Sequence, residues 1–338
     1  MKNWLSAALL SAAFLLTGCS GAPAQEPESA TFFAMDTAMD FTVYGDAALL
    51  DEAETLIGSL EEQVSVTDEH SDIYAIDHTG SGSLSGNAAE LMAQALELCR
   101  RTNGELDLSV YPIVRAWGFT TGSYQVPDEE TIQSLLPLVD YTQIQYDAAT
   151  GVVTLPEGME IDLGSVAKGY AGQLAAQMLR NSGVESALLN LGGNVQTVGA
   201  KPDGSPWQIG IKDPQGEDAM MVLSVEDQAV VTSGGYERYF EQDGQTYWHI
   251  MDPSTGHPAD SGLISVTIVG DEGVVCDGLS TALFVMGLEK AADLWAQSGD
   301  FEAVFVTASG EVYITEGLRD HFALTERYAD TPVSVIER

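Results

Sequence analysis

The sequence predicts an α+β fold, in which one compact domain with two lobes is built from mixed sheets flanked by helices. The chain has 338 residues, of which 45% are hydrophobic and 19% charged, and this composition is sufficient for a large core. Helical and strand-like patterns of apolar residues alternate along the chain without a strict period, and no internal repeat is visible. No linker interrupts the pattern after residue 30, so residues 31–338 are assigned to one domain.

The first 30 residues have the composition of an export signal followed by a tether. An apolar run from Trp4 to Leu16 is too short to span a bilayer, and it ends in the sequence LTGC, which resembles the bacterial lipobox. We therefore interpret residues 1–18 as a lipoprotein signal peptide, Cys19 as the lipidation site and residues 19–30 as a flexible tether. The protein is expected to be extracytoplasmic and held at the bacterial cell membrane by its lipid. The alternative is a plain secretory signal in which the cysteine is incidental.

Elements along the domain are assigned from periodicity and from turn residues. The stretch FFAMDTAMDFTVYG is predicted to be a strand with a turn at Gly45-Asp46, and a helix is predicted from Asp46 to Val64. A polar loop is expected through His70 and Ser85. Strands separated by Gly and Pro turns are expected before Gly164, the last of them ending at Ile161-Asp162-Leu163. Further helices are predicted at Asn87–Arg101, Pro127–Leu136, Ser165–Asn181, Gly278–Met286 and Leu288–Ser298.

The charge of the chain excludes one class of function. With 51 acidic and 13 basic residues the formal net charge is -38, which repels nucleic acids, and no run of Lys or Arg with interleaved aromatic residues occurs. We therefore expect no nucleic-acid partner. An acidic protein that binds an anionic substrate needs a local cation, which is either one of its five lysines or a metal ion.

One lysine lies in a segment suited to anion binding, IDLGSVAKGYAGQ. The segment is predicted to turn from a strand into a helix at Gly164-Ser165, with Asp162 before the turn and Lys168 after it. A helix N-terminus offers unpaired N–H groups and a partial positive charge, and Lys168 adds a full charge nearby. The alternative is that Ser165 only caps the helix and Lys168 is solvated. The pattern GxxxxGK[ST] is absent, so hydrolysis of a nucleoside triphosphate at a P-loop is not indicated.

A second motif, VVCDGLSTALFVMG, places Asp277 and Thr281 four residues apart in a predicted helix. Side chains at this spacing lie on one face. A carboxylate and a hydroxyl one turn apart can offer two hard oxygen ligands to Mg²⁺, which takes its other ligands from water, phosphate or carbonyl oxygens. Taken alone, such a pair is more often a helix cap.

A third motif, YWHIMDPSTGHP, contains His249 and Asp252. An imidazole titrates near neutral pH, so His249 beside a carboxylate could act as a general base whose orientation is held by Asp252.

Taken together, these segments resemble the ApbE family of FAD:protein FMN transferases. The matching segments cover roughly Phe32 to Ala292 in the expected order. They are FFAMDTAMDFTVYG, LDLSVYPIVRAWGF, IDLGSVAKGYAGQLA, ALLNLGGNVQTVG, VVTSGGYERYF, HIMDPSTGHP and CDGLSTALFVMG. Three motifs depart from the usual Met-Gly-Thr, Asp-Pro-Thr and Ala-Asp-Ala of the family, and they read Met35-Asp36-Thr37, Asp107-Leu108-Ser109 and Cys276-Asp277-Gly278.

The resemblance implies a fold and a reaction. The expected fold is an ApbE-like domain related to the T-fold, and the expected reaction moves FMN from FAD to a Thr or Ser hydroxyl of an acceptor flavoprotein, releases AMP and depends on Mg²⁺. Asp277, Thr281 and the backbone carbonyl of Ser165 correspond to the metal ligands. His249 is our candidate for the base that activates the acceptor hydroxyl, with Asp252 as its orienting partner. The residues expected to contact FAD are Met35, Leu106, Asp107, Asp162, Lys168 and His249.

Two other functions stay open at this point. Water in place of the acceptor hydroxyl would make the protein an Mg²⁺-dependent FAD pyrophosphatase that releases FMN and AMP. A non-catalytic flavin-binding lipoprotein is the second alternative. The partner expected for the transferase is a flavoprotein of a membrane electron-transport complex that presents a Thr or Ser flavinylation motif.

Overall fold

The computed structural model describes residues 26–338. The predicted signal peptide, Cys19 and most of the predicted tether lie outside this range. The first strand begins at Glu28 and pairs along its whole length with the next strand, from Glu28 opposite Val43 to Ala34 opposite Thr37. The tether prediction is therefore wrong for residues 28–30, whose backbone hydrogen bonds are part of a sheet.

The helices of the described residues carry their apolar side chains at intervals of three and four positions, so that one face of each longer helix is buried. In chain order the helices are α1 (Ala48–Val64), α2 (Asp72–Thr79), α3 (Gly86–Arg101), α4 (Tyr111–Ala116), α5 (Glu129–Leu135), α6 (Gly164–Asn181), α7 (Gly273–Met286) and α8 (Leu288–Gln297). Single 3-10 turns lie at Leu108–Val110, Leu136–Leu138, Tyr141–Gln143, Glu316–Leu318 and Glu326–Tyr328.

The strands alternate buried and exposed side chains where one face meets solvent, as in Trp207–Lys212. In chain order they are β1 (Glu28–Ala34), β2 (Thr37–Val43), β3 (Ser81–Ser83), β4 (Gln145–Asp147), β5 (Val152–Thr154), β6 (Ala187–Leu191), β7 (Asn194–Val198), β8 (Trp207–Lys212), β9 (Ala219–Val225), β10 (Ala229–Gly234), β11 (Tyr239–Gln242), β12 (Gln245–Trp248), β13 (Leu263–Gly270), β14 (Phe301–Thr307), β15 (Val312–Thr315), β16 (Phe322–Leu324) and β17 (Val333–Ile336).

Within the described residues, nine strands form one mixed sheet in the order β1-β2-β6-β7-β10-β13-β14-β15-β17. All neighbours pair antiparallel except β15 and β17, which are parallel. Smaller sheets are formed by β16-β9-β8, by β3-β5-β4 and by the hairpin β11-β12. The prediction of an α+β fold with mixed sheets flanked by helices is confirmed.

The large sheet is covered on both faces, and the alternation of side chains along β14 assigns each face to a different partner. Ala303 and Phe305 join the main core, which includes buried side chains of α1, α3, α6 and α7. Val304 and Val306 point the other way and pack against β8 and β9. Because the two faces have separate cores, β14 and its neighbours read as nearly continuous apolar runs.

A third apolar cluster stands apart from these two cores. It contains the buried side chains of Ile113, Trp117, Phe119, Ile132 and Met251, with aromatic residues of the hairpin β11-β12 packed on it. This cluster, formed by α4, α5 and the hairpin, is the smallest of the three apolar clusters in the described residues.

Several element predictions are corrected by the structure. The N-terminal segment is a hairpin that turns at Met35-Asp36, not a strand that turns only at Gly45; both turn residues have positive φ, of 49° and 59°, which a sequence pattern without glycine does not indicate. The expected polar loop contains α2, and Ile161-Asp162-Leu163 lies outside any strand and leads directly into α6. The helix α7 begins at Gly273, five residues before the predicted start.

Helices α6 and α7 cross at unusually close range because each has a glycine at the crossing. A Cβ at Gly169 would lie 2.2 Å from the carbonyl oxygen of Gly273, and a Cβ at Gly273 would lie 2.4 Å from the carbonyl oxygen of Gly169. Side chains at these two positions would separate the helices. The two glycines therefore fix the distance between Lys168 on α6 and Asp277 on α7.

Two negative findings apply to residues 26–338. None of their helices is long and apolar enough to cross a membrane. In the same range Cys99 and Cys276 are both free and buried, so they do not form a disulfide with each other.

Candidate functional site

One cleft brings together residues from distant parts of the chain. It is bordered by the turn between β1 and β2, the first turns of α6, part of α7 and the segments that flank the hairpin β11-β12. The residues predicted from sequence as FAD contacts or metal ligands all line it: Met35, Leu106, Asp107, Asp162, Ser165, Lys168, His249, Asp277 and Thr281. Asp252 does not line it, although its neighbours Met251 and Pro253 do.

The start of α6 is arranged differently from the sequence prediction. The Asp162 carboxylate accepts a hydrogen bond from the Gly164 N–H at 2.8 Å, so the protein itself supplies an anion to one amide of the first turn. Burial raises the pKa of Asp162, while this hydrogen bond and the positive charge of Lys168 act in the opposite direction. Lys168 takes part in none of the ion pairs of residues 26–338. Its ammonium group lies among carboxylates that border the cleft.

A carboxyl of α2 holds the segment that leads into α6. Asp77 Oδ1 accepts a hydrogen bond from the Ile161 N–H at 2.9 Å, and its second oxygen is buried without a partner. Burial, with a smaller contribution from the nearby carboxylates of Glu160 and Asp162, raises the pKa of Asp77 to about 8, although the hydrogen bond from Ile161 acts in the opposite direction. Asp77 is therefore protonated at neutral pH.

Asp277 is a buried carboxylate on the α7 side of the cleft. Its Oδ2 accepts a hydrogen bond from the Gly169 N–H at 2.7 Å, across the close crossing of the two helices. Burial raises the pKa of Asp277 to about 6, although Lys168, the Gly169 N–H and the Asn194 amide each lower it. One turn later Thr281 Oγ1 lies 3.3 Å from Ser233 Oγ on β10. The spacing of Asp277 and Thr281 thus places both side chains on the cleft, as the sequence predicted.

These oxygen atoms suit a divalent cation that is bound together with a phosphate ligand. In residues 26–338 no three His, Cys, Asp or Glu side chains are grouped so that they alone could hold a metal ion. Mg²⁺ commonly uses one or two carboxylates and takes its remaining ligands from water and substrate phosphates. Asp277, Thr281 and the Ser165 carbonyl fit that donor set, since all three residues border the cleft.

His249 follows β12, and its ring is half-buried at the wall of the cleft. Its Nδ1 lies 3.2 Å from the carbonyl oxygen of Arg238, and its backbone N–H donates to the same oxygen at 3.0 Å. Because a carbonyl only accepts, Nδ1 carries the proton and Nε2 has the lone pair. Burial of the ring, followed by the positive charges of Arg238 and Lys168, lowers the pKa of His249 to about 4. The imidazole is therefore neutral at pH 7.

The predicted pairing of His249 with Asp252 is corrected. Asp252 Oδ1 accepts hydrogen bonds from the N–H and hydroxyl of Ser254, at 2.8 and 2.6 Å, and closes the turn before Gly256. The described residues contain no hydrogen bond between Asp252 and His249. Because the Asp252 carboxylate is bonded to Ser254 within the turn DPSTG, it is not available to the imidazole, and the carbonyl of Arg238 orients His249 instead.

The remaining predicted FAD contacts, Met35, Leu106 and Asp107, also line the cleft. Met35 occupies the left-handed conformation in the β1-β2 turn, which is strained for a residue other than glycine and is retained where the surrounding structure holds it. Asp107 accepts hydrogen bonds from the N–H and hydroxyl of Ser109 and from the N–H of Tyr141. Both of its oxygens therefore bind protein, and Asp107 shapes this wall together with the buried Leu106.

Comparison with known proteins supports one family. A model of the ApbE family matches residues 35–305. The chain belongs to the ApbE family. It is 34% identical over 284 residues to the FAD:protein FMN transferase of Klebsiella pneumoniae, an alignment that covers 82% of this chain and 88% of that protein. Its fold is similar to that of the ApbE protein of Thermotoga maritima, with a TM-score of 0.83, 31% identity and coverage of 88% and 99%.

In this member of the ApbE family the structure adds cleft residues that were not predicted from the sequence. Glu237 and Arg238, from the segment VVTSGGYERYF, lie at the rim. Asn194, the last residue of LNLGGN, is 3% exposed, and neither polar atom of its side chain has a hydrogen-bond partner. An unpartnered buried polar group costs about 1–3 kcal/mol. The Gly192-Gly193 turn before it was a visible signal, but the direction of the side chain depends on the pairing of β7 with β6 and β10.

Proposed function

We propose that this protein transfers FMN from FAD to a Thr or Ser hydroxyl of an acceptor flavoprotein and releases AMP. The observation that carries the proposal is the convergence of the predicted FAD and metal residues on one cleft. Further support comes from relatives whose name is FAD:protein FMN transferase, in Klebsiella pneumoniae and in Vibrio cholerae, the latter 31% identical over 302 residues.

The reaction balances as a substitution at phosphorus. The acceptor oxygen bonds to the FMN-side phosphorus of the pyrophosphate, the bond from that phosphorus to the bridging oxygen breaks, and AMP leaves with the bridging oxygen. The hydroxyl proton goes to Nε2 of His249, which the Nδ1 contact with Arg238 leaves as a proton acceptor. The pKa of about 4 describes the protein without substrate. An anionic pyrophosphate beside the ring raises that pKa, since it stabilises the imidazolium form.

Lys168 has the electrostatic task in this scheme. Its ammonium group lowers the pKa of both Asp162 and Asp277, and it does so more than any other charged group near these two carboxylates. It would neutralise part of the charge of the pyrophosphate, which an otherwise acidic protein repels.

Asp277, Thr281 and the carbonyl of Ser165 would hold Mg²⁺. The ion, when bound, supplies positive charge to the pyrophosphate oxygens. The protein contributes the placement of these oxygen ligands through the close crossing of α6 and α7.

The composition of the N-terminal segment supports a proposal for where the reaction takes place. We propose that acylation of Cys19 anchors the protein to the bacterial membrane on its outer side, with residues 20–27 as the tether that remains before β1. The acceptor in this proposal is a flavoprotein of a membrane electron-transport complex that presents a Thr or Ser flavinylation motif.

The test is to incubate the purified protein with FAD, Mg²⁺ and an acceptor domain that carries such a motif. Denaturing electrophoresis with in-gel flavin fluorescence detects covalent flavin, and chromatography detects FMN and AMP. Fluorescence in the acceptor band supports transfer. Free FMN with AMP and no fluorescent band would indicate a pyrophosphatase, and unchanged FAD would indicate a binding protein. A lane without the acceptor should have no fluorescent band, because the chain does not contain a complete flavinylation motif.

A further inference from the structure

The buried carboxamide of Asn194 has no role in the transfer reaction as proposed. It lies at the start of β7, a strand in the interior of the large sheet, and its backbone is held between Leu191 of β6 and Val231 of β10. Its side chain is 3% exposed and borders the cleft. Both Oδ1 and Nδ2 lack a hydrogen-bond partner. A donor and an acceptor without protein partners therefore lie at a rigid position on the border of the cleft.

The surroundings of Asn194 indicate which part of a ligand it meets. Asn194 lies on the same face of β7 as Gln196, whose side chain packs against Gly172 of α6 and Gly273 of α7, so the carboxamide is on the side of the strand that faces these two helices. Asp277, Lys168 and Thr281 border the same cleft. A ligand group placed among a carboxylate, an ammonium, a hydroxyl and a carboxamide is charged and rich in oxygen. Flavin and adenine rings offer large apolar faces, which this polar group of side chains does not match.

We propose that Asn194 binds the metal-bound pyrophosphate of FAD. Nδ2 can donate to a phosphate oxygen, and Oδ1 can accept from a water molecule of the cation shell, so a hydrated metal–pyrophosphate group satisfies both orphaned atoms. Asn194 is on this view a substrate-binding residue whose apo state is unsatisfied because its partners arrive with the ligand. The inference rests on the proposed function only in taking FAD as the ligand.

The chain provides a matched control two residues further along the same strand. Gln196 is also 3% exposed, also has an unpartnered side-chain amide nitrogen, and faces the same helices, against Gly172 of α6 and Gly273 of α7. It does not line the cleft. If removing a buried amide from β7 disturbs the protein in general, substitutions at Asn194 and at Gln196 will both show the effect. If Asn194 contacts the ligand, only the substitution at Asn194 will weaken ligand binding.

The experiment compares Asn194→Leu and Gln196→Leu with the wild-type protein. FAD affinity is measured by flavin fluorescence with Mg²⁺ and again with EDTA, and thermal unfolding is recorded without ligand. Asn194→Leu is expected to weaken FAD binding in Mg²⁺ at least tenfold. It should also reduce the ratio of the dissociation constant in EDTA to that in Mg²⁺. The melting temperature should stay equal or rise, because the substitution removes an unsatisfied buried group. Gln196→Leu is expected to bind FAD within twofold of wild type.

Three results would overturn the inference. The first is unchanged FAD affinity in Asn194→Leu, and the second is an equal loss of FAD affinity in Gln196→Leu. The third is a ratio of the dissociation constants in Mg²⁺ and EDTA that stays as in wild type, because this result would place the carboxamide against a ring of FAD. If Asn194→Leu does not fold, Asn194→Ala is measured with the same criteria. A wild-type protein that binds FAD but transfers no FMN would refute the proposed function and leave this inference standing.

Discussion

Substituting Gly169 by alanine tests whether the close crossing of α6 and α7 places the metal ligands. The new Cβ would lie 2.2 Å from the Gly273 carbonyl oxygen and 2.6 Å from the Asp277 Cβ, whereas real Cβ contacts stay above 3.0 Å. Backbone atoms cannot rotate away, so the helices must separate by about 0.8 Å. The hydrogen bond from the Gly169 N–H to Asp277 Oδ2, 2.7 Å long, lengthens with them.

The magnitude follows from two opposed contributions. Replacing glycine by alanine in a helix raises the free energy of unfolding by about 1 kcal/mol. An extra methyl group in a packed core typically lowers it by about 1–3 kcal/mol, and by more where the methyl group clashes with backbone atoms. We expect a net loss of roughly 1–2 kcal/mol in the free energy of unfolding. A displacement of this size at a reacting centre costs on the order of 10²-fold in rate, so kcat/KM should fall far more than stability explains.

The assay combines chemical unfolding with FMN transfer under conditions in which the variant stays folded. The control is Gly58→Ala in α1, where a Cβ meets nothing within 4 Å. It should gain stability by roughly 0.5–1 kcal/mol and retain full activity. Wild-type activity in a folded Gly169→Ala protein would refute the claim that this crossing sets the geometry of the site.

Three other substitutions probe single contributions. Lys168→Ala should weaken FAD binding about tenfold or more in titrations, whereas Lys212→Ala, which removes a surface pair with Glu217, should leave it unchanged. His249→Ala should lower kcat by about 10² to 10⁴ and spare FAD affinity; a parallel loss of both would make His249 a binding residue. In Asp77 burial raises the pKa from 3.8 to about 8, so its contribution to stability is full below pH 4 and is lost as the pH rises to 8. Asp77→Asn should therefore be more stable than wild type at pH 8, by on the order of 1–3 kcal/mol, with the advantage vanishing near pH 4; equal pH profiles in urea unfolding would contradict this.

The parts of the site that the sequence predicted are those set by local geometry. Asp277 and Thr281 are four residues apart in a helix, so their common face follows from the helical repeat alone. The apolar periodicity of α6 similarly predicted that Lys168 lies in the first turns of the helix. The predicted end of α6 at Asn181 is confirmed.

The parts that it missed depend on long-range pairing or on unusual backbone. The turn at Met35-Asp36 has two non-glycine residues with positive φ, so no turn signal marked it. The orientation of His249 comes from the carbonyl of Arg238, a backbone atom brought near by the hairpin β11-β12. Asn194 acquires its place on the cleft from its two neighbouring strands, one of which begins 35 residues later, at Ala229.

The stoichiometry of a single reaction distinguishes FMN transfer from hydrolysis of FAD. FAD, Mg²⁺, the protein and an acceptor domain are combined, and AMP, free FMN and acceptor-bound flavin are quantified at successive times by chromatography and intact-mass analysis. For a transferase we expect one acceptor-bound flavin for each AMP released, little free FMN, and loss of both AMP and acceptor-bound flavin in Asp277→Ala. Release of AMP with an equal amount of free FMN, or full activity in Asp277→Ala at ordinary Mg²⁺ concentrations, would contradict it.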